Sequence, residues 1–397
     1  MWNLGCFRVD HSLQTANDNH QETDPDEAGA DLEEMEHLVA TDLKGGAKMK
    51  AAIYYGPGDI RVENVSDPNL EADGILVEVK ASGICGSDMH PYRVGGLIEP
   101  GLIMGHEFSG DVIEVGANVA DIKKGDRVTA ASVQPCGQCH WCQKKQTHRC
   151  PNMKVLGVHM PGAFAEYISV PLALVNQTVF LLPDEISYED GATVEPLSVA
   201  ANTVKKAEPS AEDTVVILGV GTIGQCALQV FKALGVAKVI ISEVSKKRLE
   251  VAEAMGADVV INAAEEDPIQ RVREATSGMG ADIVVECAGA PVTFQQATEM
   301  VRGGLQQAFE TVRPDGKIML VGIYEQPIQW LPNSIIRKSI RMIGCYSGNF
   351  PPAIELLKTG KVNTRPLVTH EYPLDKAREA FETQLKADES IKVLIKP

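Results

Sequence analysis

The 397-residue chain has no apolar run approaching the roughly 18 residues that a membrane-spanning helix needs. Its first residues lack a basic region followed by an apolar stretch, so no secretory signal is expected. Basic side chains are in deficit, with 37 Lys and Arg against 54 Asp and Glu and a net charge of −17. Nucleic acid and anionic membranes call for a basic face, so neither is expected as a partner. Internal repeats and low-complexity tracts are missing as well. With no export signal, the nine cysteines point to metal ligation in a reducing compartment, the cytoplasm, rather than to disulfides.

What is there is an ordinary globular composition, 44% hydrophobic and 23% charged, in a chain long enough for two cores. Residues 1–48 differ from the rest. They hold 11 acidic and 3 basic side chains and end in Lys44-Gly45-Gly46-Ala47-Lys48. Such a segment buries too little apolar surface to offset its ordering entropy, so a disordered acidic extension is expected, with a helix only around 32–39. A start codon upstream of a natural one at Met49 would produce it; a regulatory arm is the alternative.

From Met49 the pattern is β-rich. Short alternating segments at 49–55, 74–81, 110–115 and 126–130 are separated by Gly and Pro turn signals. After about residue 200 the rhythm becomes strand then helix. Apolar runs at 214–218, 237–241, 258–261, 282–286 and 316–321 alternate with helical segments at 222–234, 246–255, 268–275 and 305–312. That alternation predicts a parallel sheet covered by helices on both faces. A helix at 352–359 and a strand at 390–395 fall outside it and are expected to return to the first domain.

Gly219-Val220-Gly221-Thr222-Ile223-Gly224 follows the first of these strands and opens a helix. In that context Gly219 permits a tight turn, Gly221 lets the backbone approach a pyrophosphate, and Gly224 allows close helix–strand packing. The helix start, with Ile223 in its first turn, offers free N–H groups to the phosphates. Glu243 lies 19 residues beyond Gly224, where an acid binds ribose hydroxyls and repels a 2′-phosphate. NAD is therefore expected over NADP, with Arg248 at the adenine or ribose rim.

Two metal sites are legible. Cys136, Cys139, Cys142 and Cys150 are spaced for a closed, structural Cys₄ zinc, in a lobe whose Pro135, Gly137 and Pro151 leave it little core. Cys85, His106, Glu107 and Glu195 form a mixed donor set suited to catalytic zinc with an open position. Taken singly, each of these four could be an ordinary core residue.

Gly105-His106-Glu107-x-x-Gly110, followed by Gly116 and Val119, resembles the zinc signature of the medium-chain dehydrogenases. The resemblance runs from Met49 to Pro397 and is strongest to the polyol (sorbitol) and threonine dehydrogenase branch. It implies an α/β fold, with a GroES-like β-rich catalytic domain at 49–200 completed by 345–397. A Rossmann, doubly wound parallel-sheet domain for NAD would occupy 200–344. It further implies one catalytic and one structural zinc per subunit, and hydride transfer from a polyol, diol or other secondary alcohol to NAD. Glu195 would ligate the metal directly or through water, Ser87 and His90 would carry a proton relay, and Asp88 would buttress the site. A homodimer or homotetramer is implied, with a strand near 339–344 pairing across subunits.

The alternatives are an L-threonine 3-dehydrogenase, an NADPH-dependent carbonyl reductase, or a non-catalytic nucleotide-binding relative. Sugar-alcohol enzymes of the family often place an Arg after the position of Gly344. Here Cys345-Tyr346-Ser347-Gly348 follows, with no Arg, which argues against a sorbitol-like substrate and leaves smaller diols or secondary alcohols open. Tyr92, Arg93, Tyr324 and Tyr346 are pocket candidates that could equally be packing.

Overall fold

A computed structural model describes residues 48–303 and 316–397. The helix expected at 305–312, and the whole of the acidic extension except Lys48, lie outside them. The rest opens with the strand Lys48–Gly56, which turns back as Asp59–Ser66 and also pairs with Leu102–Ile103. A second sheet runs in the order Val179–Leu181, Arg127–Ala130, Glu107–Val115, Ile75–Gly83, Lys392–Lys396, Val368–Pro373, with Tyr167–Val170 also on Ile75–Gly83. Ile75–Gly83 is buried along most of its length because neighbours cover both its faces. Fully buried Phe164 and Phe381 meet edge to face at 5.5 Å beneath the first sheet. Burial of this kind stabilises by about 1.5–3 kcal/mol per large side chain.

Leu394 and Ile395 pair antiparallel with Gly83 and Ser82, so a strand from the far end of the sequence lies inside this sheet, between Ile75–Gly83 and Val368–Pro373. That strand, Lys392–Lys396, falls close to the segment at 390–395 where the sequence predicts one.

The other sheet has six parallel strands in the order Val259–Asn262, Lys238–Glu243, Thr214–Leu218, Ile283–Glu286, Lys317–Leu320, Arg341–Gly344. Numbered along the chain, that is 3-2-1-4-5-6, the doubly wound arrangement whose switch point lies beyond the ends of the first and fourth strands. The central strand Thr214–Leu218 is buried after its first residue, as helices on both faces require. Local signals set the helices: Asp267 accepts from the N–H groups of Ile269 and Gln270, with Pro268 at the first position. Arg341–Gly344 lies at the sheet's edge, with one strand neighbour among the described residues.

Helix Val194–Ala207 was not evident in the sequence. Ten of its 14 residues are buried and Pro196 stands in its first turn, so only Asn202, Lys205 and Lys206 near its end mark an outward side. It packs Val194, Leu197, Ala200 and Val204 into a core shared with Val215 and Ile217 of the parallel sheet. Phe180 of the β-rich part stacks on Phe350 at 4.4 Å in the same core.

Candidate metal and dinucleotide sites

Cys85 is the N-cap of helix Gly86–Val94, and Asp88 turns back to accept its N–H at 2.9 Å. The hydrogen bond fixes the thiol at the helix start, next to the end of strand Ile75–Gly83. His106 and Glu107 come from the loop entering Glu107–Val115, the strand paired with Ile75–Gly83 through Gly83↔Glu107. Adjacent strand ends therefore bring the three donors together: ligand atoms of Cys85, His106 and Glu107 all lie within 4.8 Å of one another. Glu195, near the start of Val194–Ala207, is not within that distance of all three. Its Oε1 accepts the Ser132 hydroxyl at 3.2 Å.

The cluster is strongly acidic for a buried place. Asp88, His106, Glu107 and Glu195 are each at most 9% exposed. Burial pushes the Glu195 and Asp88 carboxyls upward, only partly countered by His106. Burial opposes a charged His106 ring, yet Asp88, Cys85 and Glu195 together hold its pKa well above the usual value. His106 Nδ1 and Asp88 Oδ1 stand 3.8 Å apart, both buried and without a hydrogen-bond partner. A thiol, an imidazole and carboxylates in a site short of positive charge fit a divalent cation such as zinc.

A lysine ammonium also enters, from a residue that the sequence did not single out. Lys392 Nζ donates to Glu107 Oε2 at 2.5 Å and to the Ile84 carbonyl at 2.8 Å. The partners are 285 positions apart, and only the placing of the last strand beside Gly83 reveals the pair.

Among the expected relay residues, Ser87 is half-buried in the first turn of Gly86–Val94. His90, one turn on, has Nδ1 3.0 Å from Glu325 Oε1, and Arg93 donates to Glu325 Oε2 at 2.9 Å. The pocket candidates are scattered. Tyr92 is buried against Phe381, Tyr346 is exposed, and the Tyr324 hydroxyl donates to Glu286 at 2.6 Å.

The sulfurs of Cys136, Cys139, Cys142 and Cys150 also lie within 4.8 Å of one another, all four as free thiols. The backbone N–H groups of Gln138 and Cys139 lower the Cys136 thiol to about 6, while burial and neighbouring thiols push Cys142 up to about 12. One thiol poised to ionise among three neighbours is a donor set that suits a tetrahedral metal better than a disulfide. His140 and His148 are exposed beside it.

At the parallel sheet, Gly219 has φ +83°, and a Cβ there would meet Ala288 at 2.8–3.0 Å. A Cβ on Gly224 would strike the Gly219 carbonyl at 2.2 Å, so both glycines are sterically required. Gly221 differs: only Arg248 Nη1, 3.8 Å away, lies within reach of a Cβ. It caps helix Thr222–Leu234 with no side-chain hydrogen bond to the first turn, where Ile223 is half-buried. An open, uncapped helix start of this kind fits a pyrophosphate.

Glu243 ends strand Lys238–Glu243, as its spacing predicts, with both carboxylate oxygens held by backbone N–H groups. Its Oε2 accepts from Val220 N at 2.9 Å, and Oε1 accepts from Val244 N and Ser245 N at 2.8 and 3.2 Å. The carboxylate thus braces the glycine loop, with Arg248 Nη1 3.9 Å away. Glu286, which the sequence reading passed over, does the same for the neighbouring loop. Fully buried, it accepts from Ala288 N, Gly289 N, the Thr293 hydroxyl and Tyr324.

A β-rich half with a mixed-donor set able to hold a metal, joined to a doubly wound sheet with an open glycine loop, defines a metal-dependent nicotinamide oxidoreductase. Comparison with known proteins agrees. Residues 71–184 match the alcohol dehydrogenase GroES-like domain, and residues 222–359 match the zinc-binding dehydrogenase model. Sorbitol dehydrogenase of Bacillus subtilis is 34% identical over 358 residues, covering 88% of this chain and 97% of the relative. The 2R,3R-butanediol dehydrogenase structure from Bacillus subtilis has a TM-score of 0.76 at 32% identity, covering 88% of this chain and 99% of that one. A Sinorhizobium meliloti 1021 structure bound to NADP has a TM-score of 0.79 at 30% identity, covering 88% and 100%.

The chain belongs to the zinc-dependent medium-chain alcohol dehydrogenase family, in its polyol and threonine dehydrogenase branch. It is an NAD(P)-dependent, zinc-dependent oxidoreductase acting on a small-molecule alcohol. No helix among the described residues is long and apolar enough to cross a membrane.

Proposed function

We propose that the enzyme oxidises a secondary alcohol of a small diol or polyol, with NAD as acceptor. The convergence of Cys85, His106 and Glu107 in a buried, negatively charged pocket carries this reading. These three would hold the catalytic zinc, with Glu195 one step back on Ser132, and Cys136, Cys139, Cys142 and Cys150 would hold a structural zinc. When bound, the catalytic zinc would supply Lewis-acid polarisation of the alcohol, and NAD would accept its hydride.

The chain's own residues do the rest. Gly219, Gly221, Ile223 and Gly224 shape the phosphate cradle, Glu243 braces it, and Arg248 flanks its open side. Preference for NAD is supported by the Glu243 carboxylate, which adds negative charge where a 2′-phosphate would come. The Ser87 hydroxyl takes the alcohol proton as it releases its own, and His90 passes a proton on toward solvent. A catalytic domain of 49–200 completed by 345–397, around a nucleotide domain of 200–344, is supported by strand Lys392–Lys396 lying beside Ile75–Gly83. Edge strand Arg341–Gly344 supports a homodimer or homotetramer formed by pairing across subunits. Four clustered free thiols suit the reducing cytoplasm.

The test is Cys85→Ala and His106→Ala, each assayed for bound zinc, NAD affinity and turnover on sorbitol, 2,3-butanediol and L-threonine. Both should lose one zinc per chain and at least about a thousandfold in turnover, with NAD affinity within a few-fold of the parent. Normal turnover in either variant would end the proposal. L-Threonine as sole substrate would replace the polyol reading alone.

A further inference from the structure

The segment after strand Lys317–Leu320 carries two consecutive side chains that reach different parts of the molecule. The Tyr324 hydroxyl donates to Glu286 at the end of strand Ile283–Glu286, within the nucleotide sheet. Glu325 reaches helix Gly86–Val94, the helix capped by Cys85, and splits its carboxylate between two residues there. Oε1 lies 3.0 Å from His90 Nδ1, and Oε2 accepts from Arg93 Nη2 at 2.9 Å.

We infer that Glu325 is a positioning residue for His90: it holds the proton on Nδ1 and leaves Nε2 as the proton-accepting end of the relay. The inference rests on the relay reading given above.

The chemistry is that of a histidine held by a carboxylate. An ionised carboxylate only accepts hydrogen bonds, so a ring nitrogen 3.0 Å from it must carry hydrogen. The hydrogen bond from His90 and the charge of Arg93 keep the Glu325 carboxyl below its usual range, so it is ionised at neutral pH. In neutral imidazole only one nitrogen is protonated, so the second is then a lone pair. Rotation of the ring would exchange the two ends and break the hydrogen bond to Glu325. Arg93 removes the corresponding freedom from the carboxylate by occupying its other oxygen. Tyr324, anchored on buried Glu286, fixes the backbone from which Glu325 extends. The proton-carrying ring in the β-rich half is thereby oriented from the nucleotide-binding half.

The experiment uses the full-length, zinc-loaded enzyme, with NAD and the best alcohol of the three-member panel. Glu325→Gln keeps the shape and removes the charge; Glu325→Asp keeps the charge; His90→Gln removes the relay. In ¹⁵N-histidine-labelled enzyme, the His90 signals are assigned by their loss in His90→Gln. They should report hydrogen on Nδ1 in the parent, and a mixture of tautomers in Glu325→Gln. Turnover number should fall about tenfold in Glu325→Gln with KM for NAD within about twofold, and Glu325→Asp should recover part of it. His90 carrying hydrogen on Nε2 in the parent would overturn the inference and leave the relay standing. So would a Glu325→Gln variant of parental turnover beside a slow His90→Gln. A His90→Gln enzyme of parental turnover would remove the relay reading and this inference with it.

Discussion

Lys392 donates to the Glu107 carboxylate at 2.5 Å, and both side chains are at most 3% exposed. Burial works against the charged lysine, but Glu107 and Cys85 more than offset it, so its pKa is raised. The ammonium is the counter-ion built into an otherwise acidic pocket.

Removing one partner of such a pair strands the other charge. Lys392→Met is therefore expected to cost about 3–5 kcal/mol, as measured by urea unfolding. Lys392→Met combined with Glu107→Gln should recover part of the loss, because the stranded carboxylate is gone. Equal stability of the single and double variants would show that the charge pair is not the cause.

The three loop glycines separate stability from ligand binding. Gly224→Ala drives a methyl into the Gly219 carbonyl and should lower the melting temperature and NAD affinity together. Gly221→Ala meets open space in the free protein. It should leave melting within about a degree of the parent while weakening NAD by about tenfold or more, since the methyl takes the room of the pyrophosphate. Calorimetry for melting and titration for affinity distinguish the two. A Gly221→Ala enzyme that binds NAD normally would remove the phosphate-cradle assignment.

The four-thiol lobe makes a prediction about metal removal. After chelation, iodoacetamide near pH 7 should label Cys136 first and Cys142 last, because their thiols lie at about 6 and about 12. The thiolate is the nucleophile, so the order follows ionisation. Peptide mass spectrometry over time reads it out, and zinc added beforehand should protect all four.

Asp258 gives a pH-dependent stability term. Burial alone would raise its carboxyl, but the hydrogen bond and charge of Lys232 and the Val239 N–H bring it below the usual value. A depressed folded-state pKa contributes stability that is present above the unfolded value, near 3.9, and lost as pH falls through the folded one. Asp258→Asn should thus cost about 1 kcal/mol at pH 7 in urea unfolding, discounted for the pair's one-third exposure. The difference should close as pH falls through the folded-state pKa of Asp258.

What the sequence revealed was what lies close together along the chain. The glycine loop, its strand and its helix are one continuous stretch, and the four thiols of the lobe fall within 15 residues. The change from alternating to strand–helix rhythm marks the two sheets for the same reason. Glu243 was found by spacing, but spacing fixes a position and not an orientation, and its oxygens turn to the loop backbone. Helix Gly86–Val94 escaped notice because it is short, holds Pro91, and starts on a capping interaction rather than an apolar stripe. Lys392 and Glu325 act across 285 and 235 positions, and nothing in their local sequence distinguishes them from surface charges.

The place of strand Lys392–Lys396, between Ile75–Gly83 and Val368–Pro373, sets an order of events during synthesis. Everything from Val194 to Ser390, the six-stranded sheet included, leaves the ribosome before Lys392 does. Until then Cys85, Asp88, Glu107 and Glu195 lack their resident cation. Strand insertion beside Gly83 is then the step at which the pocket takes its final charge.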